Sequence, residues 1–224
     1  MDKITFVLTS CGRLDLLRKT IDSFNEFNTY PIEEFIIIDD SGIIDLQDRM
    51  REEYPDYTLI FNEERIGQIK SIDKAYSRVK TPYIFHCEDD WDFYKRGFIE
   101  DSLEILKSDE KILLVWLREL HDTNGHPQDE EIHNINNAKY KYVSLNWKGG
   151  WSGFTFNPGL RRLKDYELIK PYSSTPVHFN LNNNRFYVPE LEISKNYGDM
   201  GYRAVILTRG SVKHSGWNHH IKND

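Results

Sequence analysis

Short apolar runs rich in β-branched residues alternate with amphipathic stretches through the first half of this chain. Residues 3–9 are one such run and predict a buried parallel strand, broken at Thr9-Ser10-Cys11-Gly12-Arg13. Leu14, Leu17, Ile21 and Phe24 then recur at helical spacing, with Asp15 in the first turn, where the helix dipole favours an acid. A second apolar run over 35–38 leads into Asp39-Asp40-Ser41-Gly42. The pattern next predicts a short polar helix over 45–53 and a strand over 57–61. A helix with Ile69, Ile72, Ala75, Tyr76 and Val79 on one face comes after Arg65-Ile66-Gly67, and a fourth strand covers 83–87.

This strand-helix order calls for an α/β fold with a mostly parallel central sheet and helices on both faces. Ligand sites in such sheets lie at the carboxyl ends of the strands. Thr9 to Arg13, Asp39-Asp40 and the acids Glu88, Asp89 and Asp90 therefore fall along one edge. A helix over 98–106 and a strand over 112–117 continue the pattern, which then weakens. Residues 121–137 are polar and read as a long surface loop or flap. Residues 140–147 alternate like a half-exposed strand, and 149–159 combine glycines with aromatic residues. A helix from Pro189 to 196 and a strand over 203–208 follow, with a smaller mixed sheet expected in this second half. No repeat or linker divides the chain, so one domain over 1–224 is expected.

The acids that end the fourth strand change the picture most. Adjacent carboxylates repel by about 1 kcal/mol per pair in water and about 4 kcal/mol at an effective dielectric near 20. Two readings stand. Glu88 and Asp90, two apart on an extended segment, point to one side and hold Mg²⁺ or Mn²⁺; or the acids form a solvated loop that caps the next helix. A net charge of −7 argues against nucleic acid as partner, but not against a nucleotide bridged by a metal. Two cysteines, Cys11 and Cys87, exclude a disulfide framework. No leader pattern and no apolar run of about 18 residues is present, so a cytoplasmic protein without a membrane span is expected.

The common phosphate cradles are absent: there is no G-x-x-x-x-G-K-[ST], and no G-x-G-x-x-G after the first strand. A diphosphate would then need a metal. The run Ile-Thr-Phe-Val-Leu-Thr-Ser-Cys-Gly-Arg, then Phe-Ile-Ile-Ile-Asp-Asp-Ser-Gly, Arg-Ile-Gly and Tyr-Ile-Phe-His-Cys-Glu-Asp-Asp, each at its place in the strand-helix order, resembles a family 2 glycosyltransferase of the GT-A fold over roughly residues 3–107. The resemblance implies a nucleotide-sugar-binding half over 1–110 and an acceptor-binding and catalytic-base half over 111–224. It places Thr9, Ser10, Arg13 and the base-contacting Asp39 or Asp40 beside a nucleoside, with Arg65 and Gly67 in the same donor site. Helix capping before Gly42 is the structural alternative for the two aspartates. Glu88-Asp89-Asp90 resembles the D-x-D-type metal motif, with glutamate where aspartate is usual, so Glu88 meets ribose or metal and Asp90 the metal. His214 is similar to the histidine that completes the metal site.

The same resemblance points to Glu190, counted back from Gly201, as the catalytic base, with Glu192 one step behind; a surface carboxylate at a helix start is the other reading of each. Trp151, Phe154, Trp91 and Trp217 are candidates for stacking on sugar or base, with at least two expected in the core. Arg161-Arg162 reads as a phosphate contact or as solvated helix charge, and His219 and His220 as tail. The expected function is transfer of a sugar from a nucleoside diphosphate donor, UDP-sugar foremost, to a hydroxyl of a carbohydrate or glycoconjugate. A nucleotidyltransferase that makes nucleotide sugars and a non-catalytic carbohydrate-binding domain are the rivals. Residues 121–137 and 149–153 are candidate lids.

Overall fold

The computed structural model describes residues 1–145, 147, 150–176 and 189–216. Gly149, Trp217, His219 and His220 lie outside the described residues. The first half follows the predicted order: β1 (Ile4–Ser10), α1 (Leu14–Phe27), β2 (Glu34–Asp39), α2 (Ile44–Glu53), β3 (Thr58–Phe61), α3 (Gln68–Tyr76) and β4 (Tyr83–Glu88). β1 is buried along its whole length because its two faces meet different layers. Ile4, Phe6 and Leu8 pack in one core cluster with Leu17, Ile21 and Phe24 of α1, while Val7 packs in the other with Ile69 and Ile72 of α3. Alternate strand residues point to opposite faces, so burial on both sides demands a continuous apolar run.

The second half adds β5 (Trp91–Phe93), α4 (Phe98–Ser108), β6 (Ile112–Trp116), β7 (His133–Ile135), β8 (Ala138–Tyr142), β9 (Gly159–Arg162), α5 (Leu163–Glu167), a 3₁₀ turn over Tyr172–Ser174, α6 (Pro189–Asp199), β10 (Arg203–Leu207) and β11 (Val212–His214). Among the described residues the central sheet has nine strands in the order β3-β2-β1-β4-β9-β6-β10-β8-β7. β3, β2, β1 and β4 are mutually parallel; β9 runs antiparallel between β4 and β6, and β10 is again parallel to β6. The C-terminal strands thus extend the central sheet. The small second sheet is the antiparallel ribbon of β5 with β11, which brings His214 opposite Trp91.

Two expectations need correction here. Residues 121–137 are not a free flap throughout: Gln128 bridges Val143, His126 is buried, and β7 ends the stretch as half of a hairpin with β8. Arg161 and Arg162 are neither on a helix nor solvated, but sit on β9 in the middle of the sheet, both buried. Gly159 admits β9 to this place, since a Cβ there would fall 2.7 Å from the Val115 carbonyl oxygen. Arg162 Nη1 donates to the Ile112 carbonyl at 2.8 Å and pairs with Asp165 at 2.8 Å, while Nη2 donates to the Asp109 carbonyl at 2.9 Å and to that of Leu106. It therefore closes the C-terminal end of α4. Arg162→Met should cost about 3–5 kcal/mol in chemical denaturation, because Asp165 is left as an uncompensated buried charge.

Candidate active site

The carboxyl ends of β1, β2 and β4 open onto a cavity of about 770 Å³. Thr9, Ser10 and Arg13 reach it from the end of β1, Asp40 from β2, Arg65 and Gly67 from the loop before α3, and Glu88, Asp89 and Asp90 from the end of β4. The second half contributes Arg118, Phe156, Asn157, Glu190 and His214. Asp39, Glu192 and Trp151 are not on this wall.

The two aspartates after β2 fasten loops. Asp39 Oδ2 accepts the Gly12 N–H at 2.8 Å, and Oδ1 accepts the Ser41 N–H at 3.0 Å together with the Ser41 hydroxyl. This ties the loop after β1 to the loop after β2. Asp40 Oδ1 accepts from Asn62 at 2.7 Å and from the Ile66 N–H at 2.9 Å, and Oδ2 from the Gly67 N–H at 2.8 Å. Gly67 takes φ 91, which only glycine adopts at little cost, to turn its amide towards that carboxylate. Neither acid caps α2, which begins after Ile43 without a side-chain cap.

The three acids after β4 have separate partners. The strand stops at Glu88 and Asp89-Asp90 form a turn, so the alternation that placed Glu88 and Asp90 on one side does not apply. A strand, β5, follows the turn, so the acids cap no helix either. Asp89 is fully buried; it accepts from Ser10 Oγ at 2.8 Å, from Arg13 Nε at 3.1 Å and from Arg13 Nη2. Burial pushes Asp89 up to about 6 against the pull of that guanidinium. Asp90 meets Arg13 Nη1 at 2.9 Å and His214 Nε2 at 3.4 Å. Burial works to raise Asp90, but His214 and Arg13 together outweigh it and hold the carboxyl below its ordinary value. Glu88 accepts from Gln68 at 2.6 Å and from the Trp91 indole at 3.3 Å. Burial, then the carboxylates of Asp90 and Glu190, push it up to about 8, a shift that a cation in the cavity would reverse.

Among the described residues no three His, Cys, Asp or Glu side chains form a group that would hold a metal by themselves. Asp90 and His214 do offer a carboxylate and an imidazole side by side. The close seat of Gly216 on Asp90, where a Cβ would collide with Oδ2 and fall 2.7 Å from Cβ, keeps the carboxylate against this end of the cavity. One or two protein donors, with substrate phosphates supplying the rest, is a common way to hold Mg²⁺. The residues fit a divalent cation shared with a diphosphate, and do not fit a closed protein cage.

Glu190, at the start of α6, is the carboxylate that the second half brings to the cavity. Its Oε1 accepts from the Phe156 N–H at 2.6 Å and from Thr155 Oγ1 at 3.0 Å. Burial raises Glu190 above its ordinary value, against the opposing effect of these two donors. Glu192 points elsewhere, to Lys195 at 3.4 Å. Trp151 donates to the Phe154 carbonyl at 2.7 Å and packs against His126 and Trp147. Phe154 and Trp91 are buried. Sequence reasoning missed Arg118 and Gln68. Arg118 pairs with Asp122 at 2.6 Å and lies over the Trp91 ring at 5.3 Å. It stands just past β6, on the same sheet edge as the acids, and that position was readable; Gln68 carried no signal of its own.

A mostly parallel sheet of this order, with its cavity over the strand ends, is the GT-A glycosyltransferase architecture. The profile of Glycosyl transferase family 2 matches residues 5–167, and the chain belongs to that family. Comparison with curated protein sequences finds no match. Among solved structures, the mannosyltransferase PcManGT from Pyrobaculum calidifontis, in complex with GDP-Man and Mn²⁺, is similar with a TM-score of 0.60 at 16% identity, over 91% of this chain and 55% of that one. S. aureus TarS 1–349 gives 0.61 at 12% identity, over 96% and 60%. GalNAc-T7 with UDP, GalNAc and Mn²⁺ gives 0.66 at 12% identity, over 96% and 44%. The chain thus spans less than two thirds of each of these structures, and at such identities the likeness is one of fold. No helix among the described residues is long and apolar enough to cross a membrane.

Proposed function

We propose that this protein transfers a sugar from a nucleoside diphosphate donor, UDP-sugar foremost, to a hydroxyl of a carbohydrate or glycoconjugate, with inversion at the anomeric carbon. The observation that carries the reading is that one cavity collects both the Asp90–His214 pair and Glu190. In this reading residues 1–110 bind the donor, with Asp40, Thr9 and Arg65 around the nucleoside, and residues 111–224 supply the base and the acceptor surface within a single domain. Asp90 and His214 hold Mn²⁺ or Mg²⁺, with Glu88 beside them as the first acid of a D-x-D-like motif. The cation, when bound, neutralises charge on the departing diphosphate. Glu190 accepts the proton of the attacking hydroxyl, and its burial tunes it towards that task by raising its proton affinity. Arg13 keeps Asp89 and Asp90 in place through its three nitrogens. Two of the similar structures hold a nucleotide or nucleotide sugar together with Mn²⁺.

Calorimetric titration of UDP, GDP and dTDP into the chain tests the donor site. One nucleotide should bind in the micromolar range, and Mn²⁺ should tighten it by at least about tenfold, or 1.4 kcal/mol. Failure of all three to bind, with or without metal, would leave only a shared fold.

A further inference from the structure

Arg161 stands out as a buried charge that the reaction described so far does not use. It lies on β9, in register with Ile84 of β4 on one side and Leu114 of β6 on the other, and is 2% exposed. A guanidinium taken out of water costs several kcal/mol unless it is paired and fully hydrogen-bonded. Among the described residues the ion pair of this strand belongs to the neighbour Arg162, and two of the Arg161 nitrogens, Nε and Nη1, make no hydrogen bond of ordinary geometry. The nearby polar groups do not neutralise it. Burial keeps the Tyr76 hydroxyl protonated although Arg161 beside it pulls the other way, and burial together with Arg161 holds His86 in its neutral form; among the described residues both ring nitrogens of His86 are without a hydrogen-bond partner.

The third nitrogen shows where the charge is directed. Arg161 Nη2 donates to the Thr155 carbonyl at 3.2 Å and reaches that of Asn157 at 3.5 Å. These carbonyls bracket Phe156, whose N–H is the 2.6 Å donor to Glu190, and the Thr155 hydroxyl is the other donor to the same oxygen. The guanidinium therefore grips one side of a three-residue segment whose other side grips the carboxylate.

We infer that Arg161 is a positioning residue for Glu190: it fixes the 155–157 segment that aims the carboxylate, and it supplies the buried positive charge that favours the carboxylate's ionised form. The inference rests on the reading of Glu190 as the base. Among the described residues, the charged groups that act most on Glu190 from other elements include Arg161 on β9, Arg118 beyond β6 and Glu88 at the end of β4; on α6 itself, Glu192 is paired with Lys195. Arg118 already spends its guanidinium on Asp122, whereas Arg161, held by the Thr155 and Asn157 carbonyls, has no paired carboxylate among the described residues.

The test is a ¹³C NMR titration of the full chain labelled at glutamate Cδ, with the Glu190 resonance assigned by its absence in Glu190→Gln. Arg161→Gln removes the charge but retains an amide able to donate to the Thr155 carbonyl. In this variant the Glu190 midpoint should rise by about one pH unit or more. Arg161→Lys retains the charge, so its midpoint should stay within about 0.3 unit of the wild type. A folded Arg161→Gln protein with an unmoved midpoint overturns the inference. Should Arg161→Gln not fold, Arg161→Lys decides: an ammonium cannot span both carbonyls, so kcat should fall while nucleotide affinity is unchanged, and a wild-type kcat overturns the inference. Sugar transfer surviving in Glu190→Gln would instead remove the reading of Glu190 as base, whatever the titrations show.

Discussion

Asp90→Asn should abolish the metal-dependent part of nucleotide binding and lower sugar transfer by roughly 10³-fold, about 4 kcal/mol of transition-state stabilisation. Asparagine preserves the shape of the side chain and its contact with Gly216 but removes the charge that His214 and Arg13 now share. The neighbouring variant separates binding from architecture. Asp89 is fully enclosed and committed to Ser10 and Arg13, so Asp89→Asn should lower stability by about 3 kcal/mol through a half-paired guanidinium, as one expects when a buried ion pair loses a partner. Calorimetry with and without Mn²⁺ reads the first effect and urea denaturation the second. Equal loss of metal-dependent binding in both variants, with equal stability, would show that the acids act as one undivided cluster.

That division was hidden in the sequence for a physical reason. Glu88, Asp89 and Asp90 are adjacent and alike, and what distinguishes them arrives from far along the chain: Ser10 and Arg13 are 79 and 76 residues from Asp89, and His214 lies on a strand at the other end. The four parallel strands and their helices were legible because each solves a local problem of burial, and the period of apolar residues records the solution. β9 was not legible, since Gly-Leu-Arg-Arg carries two charges and no apolar period. It sits centrally because Gly159 lets it approach Val115 and its charges find partners, Arg162 four carbonyls and Asp165, and Arg161 the 155–157 segment. The choice between Glu190 and Glu192 was likewise a matter of direction around one helix turn. Side chains two apart on a helix do not share a face, and here the first faces the cavity while the second turns to Lys195.

Glu190→Gln should lower transfer by about 10²- to 10⁴-fold, the range a positioned general base contributes, with nucleotide affinity unchanged. The glutamine carbonyl oxygen can still accept from Thr155 and Phe156, so the local structure survives while the ionisable carboxylate is lost. Stability supplies an independent check. An acid whose folded-state pKa is raised keeps its proton in the native state after the unfolded chain has released it, so the native state loses stability as pH climbs from the ordinary carboxyl value through the raised one. Removing Glu190 removes that loss, and Glu190→Gln should unfold at an equal or higher urea concentration than the wild type at pH 7, despite its loss of activity. For the same reason, with Glu190 as the proposed base, the rate of the wild-type enzyme should climb with pH along a limb that lies above the usual carboxylate range, since a carboxylate takes a proton only in its ionised form. Glu192→Gln, which disturbs only the contact with Lys195, should transfer at close to the wild-type rate; a loss comparable to that of Glu190→Gln would move the base to Glu192.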